Sequence, residues 1–332
     1  MAVKISKIEY YFPKKKLSNN DLEKEFSGLN INEIEKKVGI KERHIAKEDE
    51  TALDLALIVG KKILESYDKD KIDFLLFCTQ SPEYYLPSGA CILQDKLGLN
   101  KNIGAFDYNL GCSGFVYGLA LAKSLITSKI ASNILLITSD TLSKYINYKD
   151  KSTKILFGDA AAATIIEKSE EEQIGEFVLG TDGSGYKNLI VPNGGLRNRY
   201  NPNAKEIDEG SGSIRTDNDL YMNGPEIFNF TIKAVPKAVS KSLEKNKINL
   251  EDLDFVIFHQ ANKYIIEYLR KKIKIPKNKF YINLLTTGNT SVNAIPIGIK
   301  ESLDNKVIKK GDKVLLVGFG VGYSWGSTMI TI

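Results

Sequence analysis

The stretch IDFLLFCTQS, residues 72–81, returns 181 positions later as LDFVIFHQAN, residues 253–262. Each copy runs Asp, Phe, two aliphatic residues, then an aromatic, and turns polar at its end. That pattern reads as a buried strand with chemistry at its carboxyl end. A second pair follows in the same order: NILLITSD (133–140) and KVLLVGFG (313–320), 180 apart. Between them LGCSGFVYGLALAKSLI (110–126) parallels TGNTSVNAIPIGIKESL (287–303), which sets Cys112 against Asn289 at a separation of 177. Three pairs in one order at a nearly constant offset indicate two similar halves of one α/β unit. Strands alternating with helices imply mostly parallel sheets, and near-continuous apolar strands imply sheets covered on both faces.

Outside the repeat, Thr51 to Tyr67 carries apolar residues at helical spacing, with Thr51 and Asp54 as its capping pair. The segment from Ser169 to Asn223 is rich in Gly, Asn and Asp and reads as a connector looped over one face. The expected division is residues 1–170 and 223–332 as the halves, with 171–222 between them.

Composition narrows the function. With 332 residues, 42% hydrophobic and 26% charged, the chain is an ordinary globular protein large enough for two domain-sized units. The opening MAVKISKIEYYFP has no apolar core of signal-peptide type, and no run of about 18 apolar residues spans a bilayer. Three cysteines, Cys78, Cys91 and Cys112, form no metal-type pair and no disulfide framework, as expected for the cytoplasm. A net charge of +5 is too mild and too dispersed for nucleic-acid binding. The one local excess, RKKIKIPKNK (270–279), reads either as a solvated face or as a dock for an acidic partner.

Three polar positions stand out, and each has an ordinary reading when taken singly. Cys112 precedes a helix, where N–H groups favour a thiolate and can hold an oxyanion, yet free cysteines are commonly small core residues. Cys78 and Cys91 fit that second description. His259 ends a buried strand and is either a core histidine or an imidazole at work. His44, the only other histidine, reads as structural or surface. Asn289 suits a helix cap. The repeat matches Asn289 to Cys112, and in α/β sheets such positions converge beyond the strands' carboxyl ends.

Taken together, GIKERHIA (39–46), DYNLGCSGFVYGL (107–119), LFGDAAAATII (156–166), MNGPEIF (222–228), HQAN (259–262), GNTSVNAIPI (288–297) and FGVGYSWGS (319–327) resemble β-ketoacyl-acyl-carrier-protein synthase III of the thiolase superfamily. The resemblance implies an α/β thiolase fold, five layers α-β-α-β-α from two duplicated halves, usually as a homodimer. It implies a catalytic Cys112, His259 and Asn289, with the backbone N–H groups of Cys112 and Val321 as oxyanion hole. Leu86, Met222, Phe319 and Asn262 fall at the family's substrate channel, and Lys37 and Lys151 at its CoA or pantetheine region. Arg270, Lys271 and Lys272 fall where the family docks acyl carrier protein. The implied reaction condenses an acyl thioester, from acyl-CoA or acyl-carrier protein, with malonyl-acyl carrier protein through an acyl-cysteine. No cofactor and no metal are implied.

The chain departs from the family pattern at the CoA region. Glu33 stands where a tryptophan grips the nucleotide, Lys37 and Lys151 replace arginines, and Pro225 replaces an asparagine. A carboxylate in place of a stacking ring and lysines in place of bidentate forks weaken CoA binding. A specialised paralogue with a starter other than acetyl-CoA is therefore expected. Leu86 replaces an aromatic that reaches the neighbouring subunit's acyl pocket. The competing readings are an ester- or amide-forming acyltransferase, a 3-hydroxy-3-methylglutaryl-CoA synthase needing a carboxylate near Gln80 or Glu83, a Cys/His hydrolase, and a binding protein.

Overall fold

Both repeated strand pairs form where their apolar runs put them. In the computed structural model, which describes residues 1–210 and 212–332, Phe74–Cys78 and Phe255–Phe258 are strands, as are Asn133–Asp140 and Lys313–Gly320. The first sheet runs in space Ala2–Tyr11, Ala160–Ser169, Asn133–Asp140, Phe74–Cys78, Gly104–Tyr108. The second runs Ile174–Thr181, Ser324–Thr331, Lys313–Gly320, Phe255–Phe258. In both, two antiparallel pairings precede a parallel one. The counterpart of Gly104–Tyr108 is reduced in the second sheet to a parallel bridge between Val256 and Phe280. The duplication inferred from the sequence is thus a duplication of topology.

Alternation along the strands builds the layers. Leu75, Phe77, Leu135 and Ile137 face an outer cluster with the helices Ala52–Leu64 and Gly89–Lys96. Leu76, Ile134 and Leu136 face the opposite way, into a central cluster with Phe115 and Leu119 of helix Gly114–Thr127 and Ile295 and Ile299 of helix Ala294–Asp304. Ile257 and Leu316 close that cluster from the second sheet. Val256, Phe258, Leu315 and Val317 point outward to the helices Gly224–Lys245 and Lys263–Ile273. The order is α-β-α-β-α. Each buried Leu, Ile or Phe contributes on the order of 1.5–3 kcal/mol, and both faces of both sheets collect it.

Some local expectations change. The helix expected from Thr51 to Tyr67 is Ala52–Leu64, with both halves of the Thr51–Asp54 capping box formed, but it stops before Tyr67, whose hydroxyl bonds Asn133 and Glu167. The stretch 171–222 is more than a connector, because Ile174–Thr181 hydrogen-bonds into the second sheet beside Ser324–Thr331. Cys91 is exposed rather than buried, since it faces outward from a helix of only eight residues. His44 is structural: its ring stacks on Phe12 and its Nδ1 lies 2.7 Å from the Pro13 carbonyl oxygen. No helix among the described residues is long and apolar enough to cross a membrane.

Candidate active site

The candidate residues lie at strand ends or just past them. His259 follows Phe255–Phe258, Val321 follows Lys313–Gly320, Asp140 ends Asn133–Asp140, and Cys112 follows Gly104–Tyr108 by four residues. Helix Gly114–Thr127 has no side-chain cap, because the Ser113 hydroxyl is turned to Ser324 Oγ at 2.6 Å. The second sheet approaches this turn through glycine. A Cβ on Gly318 would lie 2.7 Å from Ser113 Cα, and one on Gly320 would collide with Cys112.

Cys112 is buried, and both its own backbone N–H and that of Val321 face its sulfur. Burial, reinforced by the nearby Asp140 carboxyl, pushes the thiol up to about 12 against these N–H groups and the Ser291 hydroxyl. Desolvation therefore outweighs the helix terminus, and the resting group is a thiol rather than the thiolate expected from sequence. His259 is buried too. Desolvation holds its imidazole down at about 3, partly opposed by the Ser291 backbone, so the ring is neutral at working pH. Phe319 packs its ring edge-to-face on the imidazole, 5.5 Å between centroids.

Asn289 does not cap the helix that follows it. That place belongs to Asn293, whose side chain instead ties Thr138 Oγ1 and the Ala160 carbonyl of the first sheet. Asn289 Oδ1 accepts the Ser291 N–H at 2.9 Å, and its backbone pairs with Leu156 and Gly158. Ser291 therefore joins the three sequence-derived positions: its hydroxyl faces Cys112, its backbone lies beside His259, and its N–H is held by Asn289. It has a φ of +52°, a left-handed conformation seldom taken by serine.

Cys112, Ser291 and Val321 open on a cavity of about 390 Å³ walled by Leu142, Tyr145, Phe157 and Leu189. The Tyr85 hydroxyl crosses its mouth to the Gly194 carbonyl. His259 and Asn289 are not among the residues walling it; each instead meets the backbone of Ser291, which does wall it. Nor do the other channel positions. Phe319 backs the imidazole, Asn262 caps Lys263–Ile273 by accepting the Ile265 N–H, and Met222 borders a separate cavity of about 240 Å³. Leu86 is 82% exposed.

Glu33, Lys37 and Lys151 converge on a third cavity, of about 470 Å³. Lys37 is already paired with Glu33 one helical turn away. At the basic segment, Arg270 is committed to Glu267 and to the Ile275 carbonyl, and Lys272 to the Ile232 carbonyl. Lys271 is exposed. Glu83 accepts a hydrogen bond from Thr51 Oγ1, at a helix start.

Three residues went unread in the sequence. Ser291 looked like any turn serine, and Asp140 like a polar strand end. Arg43, fully buried, bonds the Leu17 and Ile155 carbonyls and Asn19 Oδ1, and its side chain backs the loop at Gly288 that carries Asn289.

Known proteins match this chain in sequence and fold. Residues 106–183 fit the family model described as 3-oxoacyl-[acyl-carrier-protein] synthase III, and residues 243–332 fit the model of its C-terminal part. The β-ketoacyl-[acyl-carrier-protein] synthase III of Clostridium perfringens is 39% identical over 97% of each chain. That of Caldanaerobacter subterraneus is 40% identical over 96% of this chain and 95% of its own. A crystal structure of a 3-oxoacyl-(acyl-carrier-protein) synthase III superposes with a TM-score of 0.97 at 41% identity, covering all of both chains. The synthase from Burkholderia xenovorans LB400 gives 0.92 at 36% identity, over 100% of this chain and 94% of that one. The chain belongs to the β-ketoacyl-acyl-carrier-protein synthase III family, acyltransferases that join an acyl primer to malonyl-acyl carrier protein.

Proposed function

We propose that Cys112, His259 and Asn289 perform a decarboxylative condensation of an acyl thioester with malonyl-acyl carrier protein, giving a 3-oxoacyl-acyl carrier protein. One observation carries the residue assignment: the buried Cys112 sulfur faces two backbone N–H groups, its own and that of Val321, at the edge of an apolar cavity. Cys112 attacks the acyl thioester, the carrier thiol departs, and the acyl chain stays on sulfur in the cavity. Malonyl thioester then enters. Neutral His259 and the Asn289 amide donate hydrogen bonds to its thioester carbonyl and hold the enolate as carbon dioxide leaves. The carbanion attacks the acyl-Cys112 carbonyl, whose oxygen charges between the N–H groups of Cys112 and Val321. Side chains and backbone supply every group, so the reaction calls on no cofactor.

The cavity that gathers Glu33, Lys37 and Lys151 serves the CoA or pantetheine arm, with Glu33 discouraging acetyl-CoA as starter. Lys271 and Lys272, with Arg270 as support, meet the acidic carrier. The enzyme works in the cytoplasm as a homodimer. The sheet-edge strand Gly104–Tyr108, with Phe106 exposed, and the exposed run Tyr84, Tyr85, Leu86 support pairing with a second copy. The test is intact mass after incubation with a panel of acyl-CoAs and acyl-carrier proteins, followed by malonyl-dependent carbon dioxide release. An adduct mapping to Cys112 names the starter. An adduct elsewhere, or transfer without carbon dioxide, overturns the assignment.

A further inference from the structure

A cavity of about 550 Å³ lies between helix Gly224–Lys245 and the strands Ile174–Thr181 and Ser324–Thr331, apart from the one at Cys112. It exists because Ala234 and Ala238, one turn apart, offer only methyl groups there. Its floor is aromatic. The Phe230 ring stacks on Tyr323, 4.2 Å between centroids at 13°, and the Trp325 indole lies 5.9 Å from Phe230 at 46°. Glycines make room for the two sheet-side rings: a Cβ on Gly180 would collide with the indole, and one on Gly185 with the Tyr323 ring.

The charges around this floor are ordered. Lys233, Lys237 and Lys241 line the cavity from successive turns of the helix, over about 12 Å. All three are exposed, and among the described residues none forms an ion pair. The helix end beyond them is fixed to the sheet, where Lys245 Nζ donates to the Phe177 carbonyl and Asn246 Oδ1 accepts the Glu176 N–H. At the opposite end stand two carboxylates. Asp182 accepts the Ser184 hydroxyl at 2.6 Å, and Glu226 accepts the Asn229 amide at 3.3 Å.

We propose that this cavity binds a free nucleoside triphosphate, its base on the Trp325 and Phe230 rings and its phosphates along the three lysines. A row of unpaired ammonium groups attracts phosphate, while carboxylates repel it and accept hydrogens from an amino group on the base. Charge therefore sets the orientation, and stacking on the rings holds the base. The volume suits a small ligand. A fatty acyl chain would answer neither set of charges. No residue lining this cavity lines the one at Glu33, Lys37 and Lys151 or the one at Cys112, so a CoA thioester seated here would not be presented to the sulfur. The inference does not depend on Cys112 being the nucleophile.

Trp325 is the chain's single tryptophan, so its fluorescence under selective excitation reports this cavity alone. ATP titrated into the full chain should quench it saturably, and less tightly as salt is raised. Adenosine and inorganic tripolyphosphate should each bind at least about tenfold more weakly, because each offers only part of the contacts. Lys237→Ala combined with Lys241→Ala should raise Kd for ATP at least about tenfold with an unchanged melting temperature. Ala234→Leu, which fills the gap, should abolish the quench. No saturable quench at millimolar ATP overturns the site. Tripolyphosphate equal to ATP leaves an anion patch only, and adenosine equal to ATP removes the lysines from it; either overturns the proposal, as does unaltered affinity in the lysine pair. Tighter binding of CoA than of ATP overturns the free nucleotide in favour of the coenzyme. If Ala234→Leu does not fold, the lysine pair, exposed on the helix, decides alone.

Discussion

A Cβ placed on Gly320 would sit 2.8 Å from the sulfur of Cys112 and 2.9 Å from its Cβ, so the cysteine of one half occupies the space a side chain would need in the other. Gly320→Ala is expected to destabilise by about 1–3 kcal/mol, the usual cost of overpacking. It is also expected to abolish the acyl adduct. Thermal unfolding and intact mass check the two effects separately, and a variant that loads normally would show that the turn yields without moving the sulfur.

His259→Ala should still acylate Cys112 but release carbon dioxide from malonyl thioester about 100- to 1000-fold more slowly, as when an oxyanion-type donor is removed. Isotope release from labelled malonyl carrier measures this. Undiminished release would strip His259 of its role as enolate donor.

Asp140 carries a stability signature. Its folded pKa, about 7, lies above the ordinary aspartate value of 3.8 because of burial. Between these values the folded chain holds a proton that the unfolded chain has released, so stability is lost as pH rises through that window. Asp140→Asn keeps an acceptor for the Gln80 N–H and cannot ionise. Its melting temperature should exceed that of the wild type by roughly 5 °C at pH 8, with the gap closing by pH 4. A gap of the same size at both pH values would show that packing, not charge, is responsible.

Reversing Lys271 and Lys272 to glutamate should raise KM for malonyl-acyl carrier protein several-fold at low salt, and less at high salt, while small thioesters are unaffected. Arg270→Glu should behave differently. Its guanidinium holds Glu267 and the end of its own helix, so the loss should appear in stability as well as in docking.

Glu33→Gln releases Lys37 from its ion pair within the cavity that also holds Lys151. The freed lysine is expected to lower KM for acyl-CoA starters a few-fold with little change in kcat. Steady-state kinetics on CoA and carrier-linked versions of one acyl group distinguish this from a general effect.

The repeat was legible because a strand buried on both faces must be apolar throughout, which leaves the same run of letters at Phe74–Cys78 and Phe255–Phe258. Cys112 and Asn289 stood out because the repeat sets them at matching positions ahead of a helix, and His259 because it follows the buried strand Phe255–Phe258. Ser291 was not, since its importance lies in a positive φ and in neighbours from three separate segments, neither of which a serine announces. Asp140 reads as the polar end of a strand, and neither its burial nor its bond from the Gln80 N–H, sixty residues away, shows in the letters around it. The strand Ile174–Thr181 was hidden inside a Gly- and Asn-rich stretch, because it is held by pairing with Ser324–Thr331 rather than by a helix packed locally.

The absent side chains at Gly318 and Gly320, together with the grip of Asn293 on Thr138 and Ala160, weld the two halves face to face at the Cys112 turn. Opening by a hinge between halves would pull Cys112 away from Gly320 and Val321. What separates the Cys112 cavity from solvent is lighter: the Tyr85 hydroxyl reaches the Gly194 carbonyl across loop residues, outside the sheets that hold the halves together.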